Sequence, residues 1–258
     1  MHIDPLARTV RLSVRELATF RQVPSSDGHS ASPWRAKVGQ QWHTTAAQQT
    51  SATHADARFE VPLKATWLHR DWTFEIKGRI DQILPESDLL RICEVKTVRA
   101  SLPASAEELA SRYPDHFAQV AIYLGLARVL PEYARTTLSA ELCFIDIETG
   151  TTQVVPLSEA DERLFEQQLN TLLPFLEDRR NCQLRLQGVE LQPAFETLRD
   201  GQAELFATLD HAALQSKTVL LEAPTGFGKT GIVLEHTLRQ MQSGVYERAI
   251  YLTSKSTG

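Results

Sequence analysis

Between Phe59 and Val98 the chain alternates apolar and polar residues with a period of two, in the runs Phe59–Leu68, Trp72–Leu84 and Leu89–Val98. This predicts three β-strands, turning at His69-Arg70-Asp71 and at Pro85-Glu86-Ser87-Asp88. Upstream, a short alternating run from Arg8 leads into Ser13-Val14-Arg15-Glu16, a capping-box pattern that starts a helix through Phe20. Asp27-Gly28 marks the loop that follows. From Trp34 to about Ala57 a second helix places Gly39 and His43 four apart, on one face. A mid-helix glycine costs about 1 kcal/mol against alanine, so Gly39 implies close approach of another backbone. Downstream, Ala104–Leu130 is helical with a break at Pro114 and carries Gln119 and Tyr123 at i and i+4. Leu138–Ile147 and Thr152–Pro156 form a hairpin about Thr149-Gly150, and Ser158 caps an amphipathic helix to Asp178. The order predicts an α/β sandwich with helices on a mixed sheet, occupying residues 1–185.

After a connection at 186–194 the pattern changes. Phe195–Gln215 reads as a helix containing Arg199-Asp200-Gly201-Gln202, and Thr218–Glu222 as a short buried strand. That strand runs into Ala223-Pro224-Thr225-Gly226-Phe227-Gly228-Lys229-Thr230, a helix to about Gln242 follows, and Ala249–Thr253 is a second buried strand. Strand, glycine-rich turn, helix and strand make a βαβ unit with its turn where a P-loop belongs, so residues 195–258 are expected to be the start of an ATP-binding domain. In such a turn backbone N–H groups cradle phosphate, Gly226 and Gly228 let it approach, Lys229 reaches the β- and γ-phosphates, and the Thr230 hydroxyl holds Mg²⁺.

The net charge of −5 over 258 residues excludes a uniformly basic nucleic-acid coat, so DNA binding requires a local cationic groove. The three cysteines, Cys93, Cys143 and Cys182, lie far apart. Two of them sit in apolar strand runs, which points to reduced thiols and away from zinc. The N-terminus has no apolar signal core and no segment reaches membrane-spanning length; a cytoplasmic protein without membrane contact is expected.

The candidate chemistry lies on the second and third strands. Glu94 and Lys96 share one side of a strand while Val95 points into the core, and Asp81 lies on the neighbouring strand. Two carboxylates in a small volume repel unless a divalent cation lies between them, and hard oxygen ligands suit Mg²⁺ or Mn²⁺. A lysine beside them can orient a water and neutralise charge on a phosphate. The plain alternative is a solvated sheet face.

Gly39-x-x-x-His43, Gly78-Arg-Ile-Asp81, Glu94-Val-Lys96 and Gln119-x-x-x-Tyr123 together resemble the RecB-like branch of the PD-(D/E)xK nucleases, over roughly residues 8 to 180. The resemblance implies a restriction-endonuclease-like fold. It makes His43, Asp81, Glu94 and the Val95 carbonyl metal ligands, Lys96 the catalytic lysine, and Gln119 and Tyr123 a helix pair that supports the site and contacts DNA. Several relatives clasp an iron–sulfur cluster with a cysteine just before a proline; here that place is Val23-Pro24, so no cluster is expected. The segment around Ala223–Thr230, with Arg199-x-Gly-Gln202 before it and Ile250-Tyr-Leu-Thr253 after it, resembles the start of an XPD/DinG-type superfamily 2 helicase. That resemblance covers about the last 60 residues. It implies that Gln202 contacts adenine, that Thr225, Gly226, Phe227, Gly228, Lys229 and Thr230 hold ATP with Mg²⁺, and that the chain is the N-terminal fragment of a longer protein.

The resulting expectation is a metal-dependent DNA nuclease coupled to a helicase motor, acting in DNA repair or processing on DNA that is single-stranded or has single-stranded ends. The first alternative is a catalytically silent nuclease-like domain serving as a DNA-binding scaffold. A third reading, a P-loop ATPase with an unrelated N-terminal domain, predicts that the four N-terminal signatures do not meet in space.

Overall fold

The structure is a computed structural model and describes residues 1–22, 33–215 and 218–252. Its elements in chain order are β1 (His2–Asp4), β2 (Thr9–Ser13), α1 (Val14–Ala18), α2 (Pro33–Thr53), β3 (Arg58–His69), β4 (Trp72–Glu86), β5 (Leu89–Val98), α3 (Ala106–Arg112), α4 (Pro114–Arg128), β6 (Thr137–Asp146), β7 (Thr152–Pro156), α5 (Glu159–Glu162), α6 (Leu164–Gln187), α7 (Gln202–Gln215) and α8 (Lys229–Gln242). The chain divides into two units, after Asp178.

The first unit is built on a mixed sheet in the order β1-β2-β4-β5-β6-β7, with β3 on the remaining edge of β4. The pairs β2–β4 and β5–β6 are parallel, and β3–β4, β4–β5 and β6–β7 antiparallel. The Ser13–Glu16 capping box forms as the sequence predicts and turns the chain from β2 into α1. Ser158 caps α5 in the same way, but the helix there is in two pieces, and α6 runs on to Gln187, nine residues beyond the predicted end.

One face of the sheet carries the main core. Trp72, Phe74, Ile76 and Ile80 of β4 are fully buried there, in one cluster with Phe117, Ile122 and Leu124 of α4. The Trp72 indole N–H, which burial would otherwise leave unpaired, donates to Glu177 Oε1 at 2.7 Å. On the opposite face α2 covers a smaller cluster of Ala46, Val95 and Ile145 with Trp42 and Cys143. Gly39 meets β5 there: a Cβ on it would lie 3.3 Å from Thr97 Oγ1. The close neighbour of Gly39 is therefore a side chain, where the sequence implied a backbone.

Strand β4 changes neighbours along one edge. Its first half pairs with β2 as far as Ser13↔Lys77, and its second half pairs with β5 from Gln82↔Cys93 onward. Residues 78 to 81 have neither neighbour on that edge. The strand's alternation also shifts once here, since the buried positions 72, 74, 76 and 80 share a parity that Ile83 breaks. On the other edge the β3 residue opposite Asp81 is Glu60, which drops out of the pairing register with a left-handed backbone, φ 52°. The sheet thus forks at Asp81.

The second unit, from Arg179, contains α7 and α8. Helix α8 matches its predicted extent. Helix α7 begins at Gln202, because Gly201 adopts φ 81° and breaks the helix predicted from Phe195. Neither predicted strand is present among the described residues, Thr253 lying outside them: Thr218–Glu222 and the stretch from Ala249 make no ladder, with Leu220 95%, Ile250 74% and Leu252 86% exposed. A parallel strand becomes stable by pairing on its edges and by cover on its faces. These short apolar runs have neither within this unit, so their composition alone does not make them strands.

Candidate active site

The fork leaves backbone groups that a continuous sheet would satisfy, and the side chains of the site fill those places. Opposite the gap, the Tyr123 hydroxyl donates to the Arg79 carbonyl at 2.8 Å and accepts from the Arg79 N–H at 3.3 Å. One phenol on α4 therefore replaces a missing strand neighbour. The ring fits because residue 78 is glycine: a Cβ there would stand 2.6 Å from Tyr123 Cε1 and 2.8 Å from Val14 Cγ2. Past the fork β5 has no partner on its β4 side, and its free Val95 N–H donates to Asp81 Oδ2 at 2.9 Å. This bond draws the Asp81 carboxylate over the gap.

His43 approaches from α2, with Nδ1 3.5 Å from the same Asp81 oxygen. Glu94 enters the gap from the main-core side and is 2% exposed. Its Oε1 accepts from Lys96 Nζ at 2.8 Å and from Gln119 Nε2 at 2.6 Å, whereas Oε2 is buried with no hydrogen-bond partner. Burial pushes the Glu94 carboxyl up to about 7, against the pull of the Lys96 ammonium and with added repulsion from Asp81.

The four N-terminal signatures of the sequence thus converge, and the reading that kept them apart is overturned. One alternative falls and one expectation changes. Glu94 is not on a solvated face; it is buried like Val95, on the opposite side of the sheet. Tyr123, 3% exposed, has no surface left for DNA, so its position is one of support. Among the described residues no three His, Cys, Asp or Glu side chains close into a metal-ligating group. His43 and Asp81 stand together, while Glu94 is drawn toward Lys96 and Gln119. The donor chemistry nonetheless fits a divalent cation: carboxylate oxygens facing a common gap, one of them buried without a donor.

Residue types alone did not single out His116. It shares a face of α4 with Gln119 and Tyr123, at i, i+3 and i+7, and stacks on Tyr113 with ring centroids 5.7 Å apart. Burial, then the charges of Lys96 and Arg15, push its pKa down to about 3, so a neutral imidazole neighbours Lys96. The helical spacing was the available signal. Of the thiols, Cys93 and Cys143 are driven upward by burial, Cys143 to about 11, and all three are free.

In the second unit Gly226 and Gly228 take φ 80° and 90°, with Gly228 as the N-cap of α8. Gln202 is fully buried. Its amide accepts from the Arg199 N–H at 2.8 Å and donates to the Phe227 carbonyl at 2.5 Å, while Arg199 Nη1 donates to the Gly226 carbonyl. Lys229 Nζ turns back onto the Ala223 and Pro224 carbonyls. Thr225 and Thr230 are exposed, and nothing lies within 4 Å of the place a Gly226 Cβ would occupy.

A helix-flanked mixed sheet with carboxylates and a lysine at a strand fork is a restriction-endonuclease-like arrangement. Residues 5–205 match the PD-(D/E)XK nuclease superfamily, and the chain belongs to that superfamily. Among solved structures it is similar to the crystal structure of SSO0001, at 19% identity and a TM-score of 0.42, covering 65% of this chain and 78% of that one. It is also similar to a protein of Eubacterium rectale named as a candidate exonuclease, at 12% identity and a TM-score of 0.40, covering 76% of this chain and 65% of that one. No curated protein matches it. No helix among the described residues is long and apolar enough to cross a membrane.

Proposed function

We propose that the first unit is a metal-dependent nuclease acting on DNA, with Lys96 as the catalytic lysine and His43, Asp81, Glu94 and the Val95 carbonyl as the cation's ligands. The observation that carries this reading is the unpartnered Glu94 Oε2, buried in a gap that Asp81 also faces. A bound Mg²⁺ or Mn²⁺ supplies Lewis acidity to a scissile phosphate and to the water that attacks it. The chain's own residues do the rest. Gln119 holds the Glu94 carboxylate in one rotamer, the Val95 N–H does the same for Asp81, and Lys96 presents its ammonium to charge developing on the phosphate. In Mn²⁺ the purified chain is expected to cleave single-stranded DNA, and in excess EDTA to leave it intact. DNA that is bound but uncut in every metal tried would instead favour the scaffold reading, which the closed Lys96–Glu94–Gln119 network supports.

The second unit is proposed to hold ATP with Mg²⁺, as the opening segment of a helicase-type motor coupled to the nuclease. Support comes from the left-handed pair Gly226 and Gly228 at the start of α8 and from the clamp of Gln202 on the Phe227 carbonyl. Lys229→Ala is expected to weaken binding of a fluorescent ATP analogue at least tenfold, as removal of a charge-assisted hydrogen bond to phosphate of about 1.5–3 kcal/mol requires. Equal binding by the variant and the wild type would remove the assignment.

A further inference from the structure

We propose that the outer face of the β3–β4 ribbon is the track along which the substrate's phosphodiester backbone runs to Asp81, held by Lys64, Lys77 and Arg79. The inference rests on the nuclease reading for the identity of the substrate and goes beyond it in placing the strand. Because Trp72, Phe74, Ile76 and Ile80 point inward, Lys77 and Arg79 share the outward side of β4, and Asp81 follows them beside His43 of α2, the helix on that face. Successive same-side residues on a strand stand about 6.6 Å apart, so two cations lead in a line to the candidate ligand.

Lys64 sits directly across from Lys77 in the β3–β4 register, and both are exposed. Like charges directly opposite on a sheet destabilise it. The nearby acids do not relieve this pair. Glu75, diagonal to Lys64, is bonded to Arg11 at 3.1 Å, and Glu60 is paired with Arg79. The Arg79 guanidinium is itself largely exposed, with a side-chain exposure of 69%, and Glu60 occupies only part of its fork of donors. Counting these six side chains gives four cations against two anions, on a chain whose net charge is −5. A polyanion relieves the repulsion between the lysines, and its charge suits the patch. The track also ends at Asp81, whose carboxylate accepts from the Val95 N–H across the gap, so a strand lying on it delivers a phosphate there.

The test compares the wild-type full chain with Lys64→Gln/Lys77→Gln, using a fluorescein-labelled single-stranded oligodeoxynucleotide in EDTA. Fluorescence anisotropy is read from 50 to 200 mM salt, conditions that read binding without cleavage. The expected result is a Kd raised roughly tenfold at low salt and a salt slope reduced by about 0.7 for each phosphate that the variant no longer neutralises. Thermal stability should be equal to or above wild type, since the like-charge pair has gone; this separates weaker DNA binding from damage to the fold. Unchanged affinity and slope in the variant overturn the track, and so does a wild-type chain that binds no oligonucleotide. The nuclease reading is read independently by Mn²⁺-dependent cleavage. Cleaving protein with an indifferent Lys64/Lys77 variant loses only the track, and non-cleaving protein whose binding needs these lysines keeps the track and loses the nuclease.

Discussion

Lys96→Ala is expected to reduce Mn²⁺-dependent cleavage of single-stranded DNA by at least about 10²–10³-fold, the range found when one preorganised electrostatic stabiliser is removed. The ammonium lies 2.8 Å from Glu94 Oε1 and its side chain is 17% exposed, so it sits at the mouth of the gap, where a phosphate would enter. Removing one partner of a buried ion pair ordinarily costs about 3–5 kcal/mol, because the other charge is stranded. Here the cost is limited. Glu94 already has its carboxyl raised to about 7 and keeps the Gln119 amide, so without Lys96 it can take up a proton and remain buried in neutral form. The variant should therefore keep its far-ultraviolet circular dichroism spectrum and a cooperative thermal transition while losing cleavage under single-turnover conditions. If folded Lys96→Ala cuts as fast as the wild type, Lys96 is not the catalytic lysine.

The largest effect on stability is expected at Gly78. An alanine methyl would enter within 2.6 Å of the Tyr123 ring and 2.8 Å of Val14, both held in the main core. Overpacking of this kind costs about 1–3 kcal/mol. If the ring yields, the hydroxyl leaves Arg79, and part-buried backbone groups without a partner add about 1 kcal/mol. Tyr123→Phe removes only the hydroxyl and should lose only the second part. Urea unfolding of Gly78→Ala, Tyr123→Phe and the double variant checks this: the single losses should rank in that order and add to more than the double loses, since both act on the same bond. A Gly78→Ala protein as stable as the wild type would mean that the ring is not held as described.

Much of the first unit was legible because its signals are local. The Ser13–Glu16 box, the turn at His69-Arg70-Asp71, the break at Pro114 and the hairpin about Thr149-Gly150 each depend on neighbours in sequence, and each formed. What a period of two does not reveal is which strand lies beside a given stretch. The exchange of β2 for β5 along one edge of β4 is a property of three segments, so the parity shift at Asp81 and the Tyr123 bridge to Arg79 were hidden. The burial of Glu94 was hidden for the same reason, since alternation marks it as outward-facing and only the position of α4 shows that outward is another interior. In the second unit the helix was legible from the glycine-rich turn before it. The runs at 218–222 and from 249 onward carried strand composition without the surroundings that make strands.

The four residues Gly78, Arg79, Ile80 and Asp81 act as a spacer of fixed length between the two halves of β4, which pair with β2 and with β5 on one edge while β3 follows both in a single register on the other. Adding or deleting one residue within them would turn one half over relative to the other and break the single register in which β3 follows both halves, because a single-residue slip exchanges the faces of a strand. Either the aromatic positions at 72 and 74 or the apolar position at 83 would then be driven outward. The count from Lys77 to Gln82 is therefore fixed by the sheet, and a change of length there is expected to cost the fold more than one in the turn between β3 and β4.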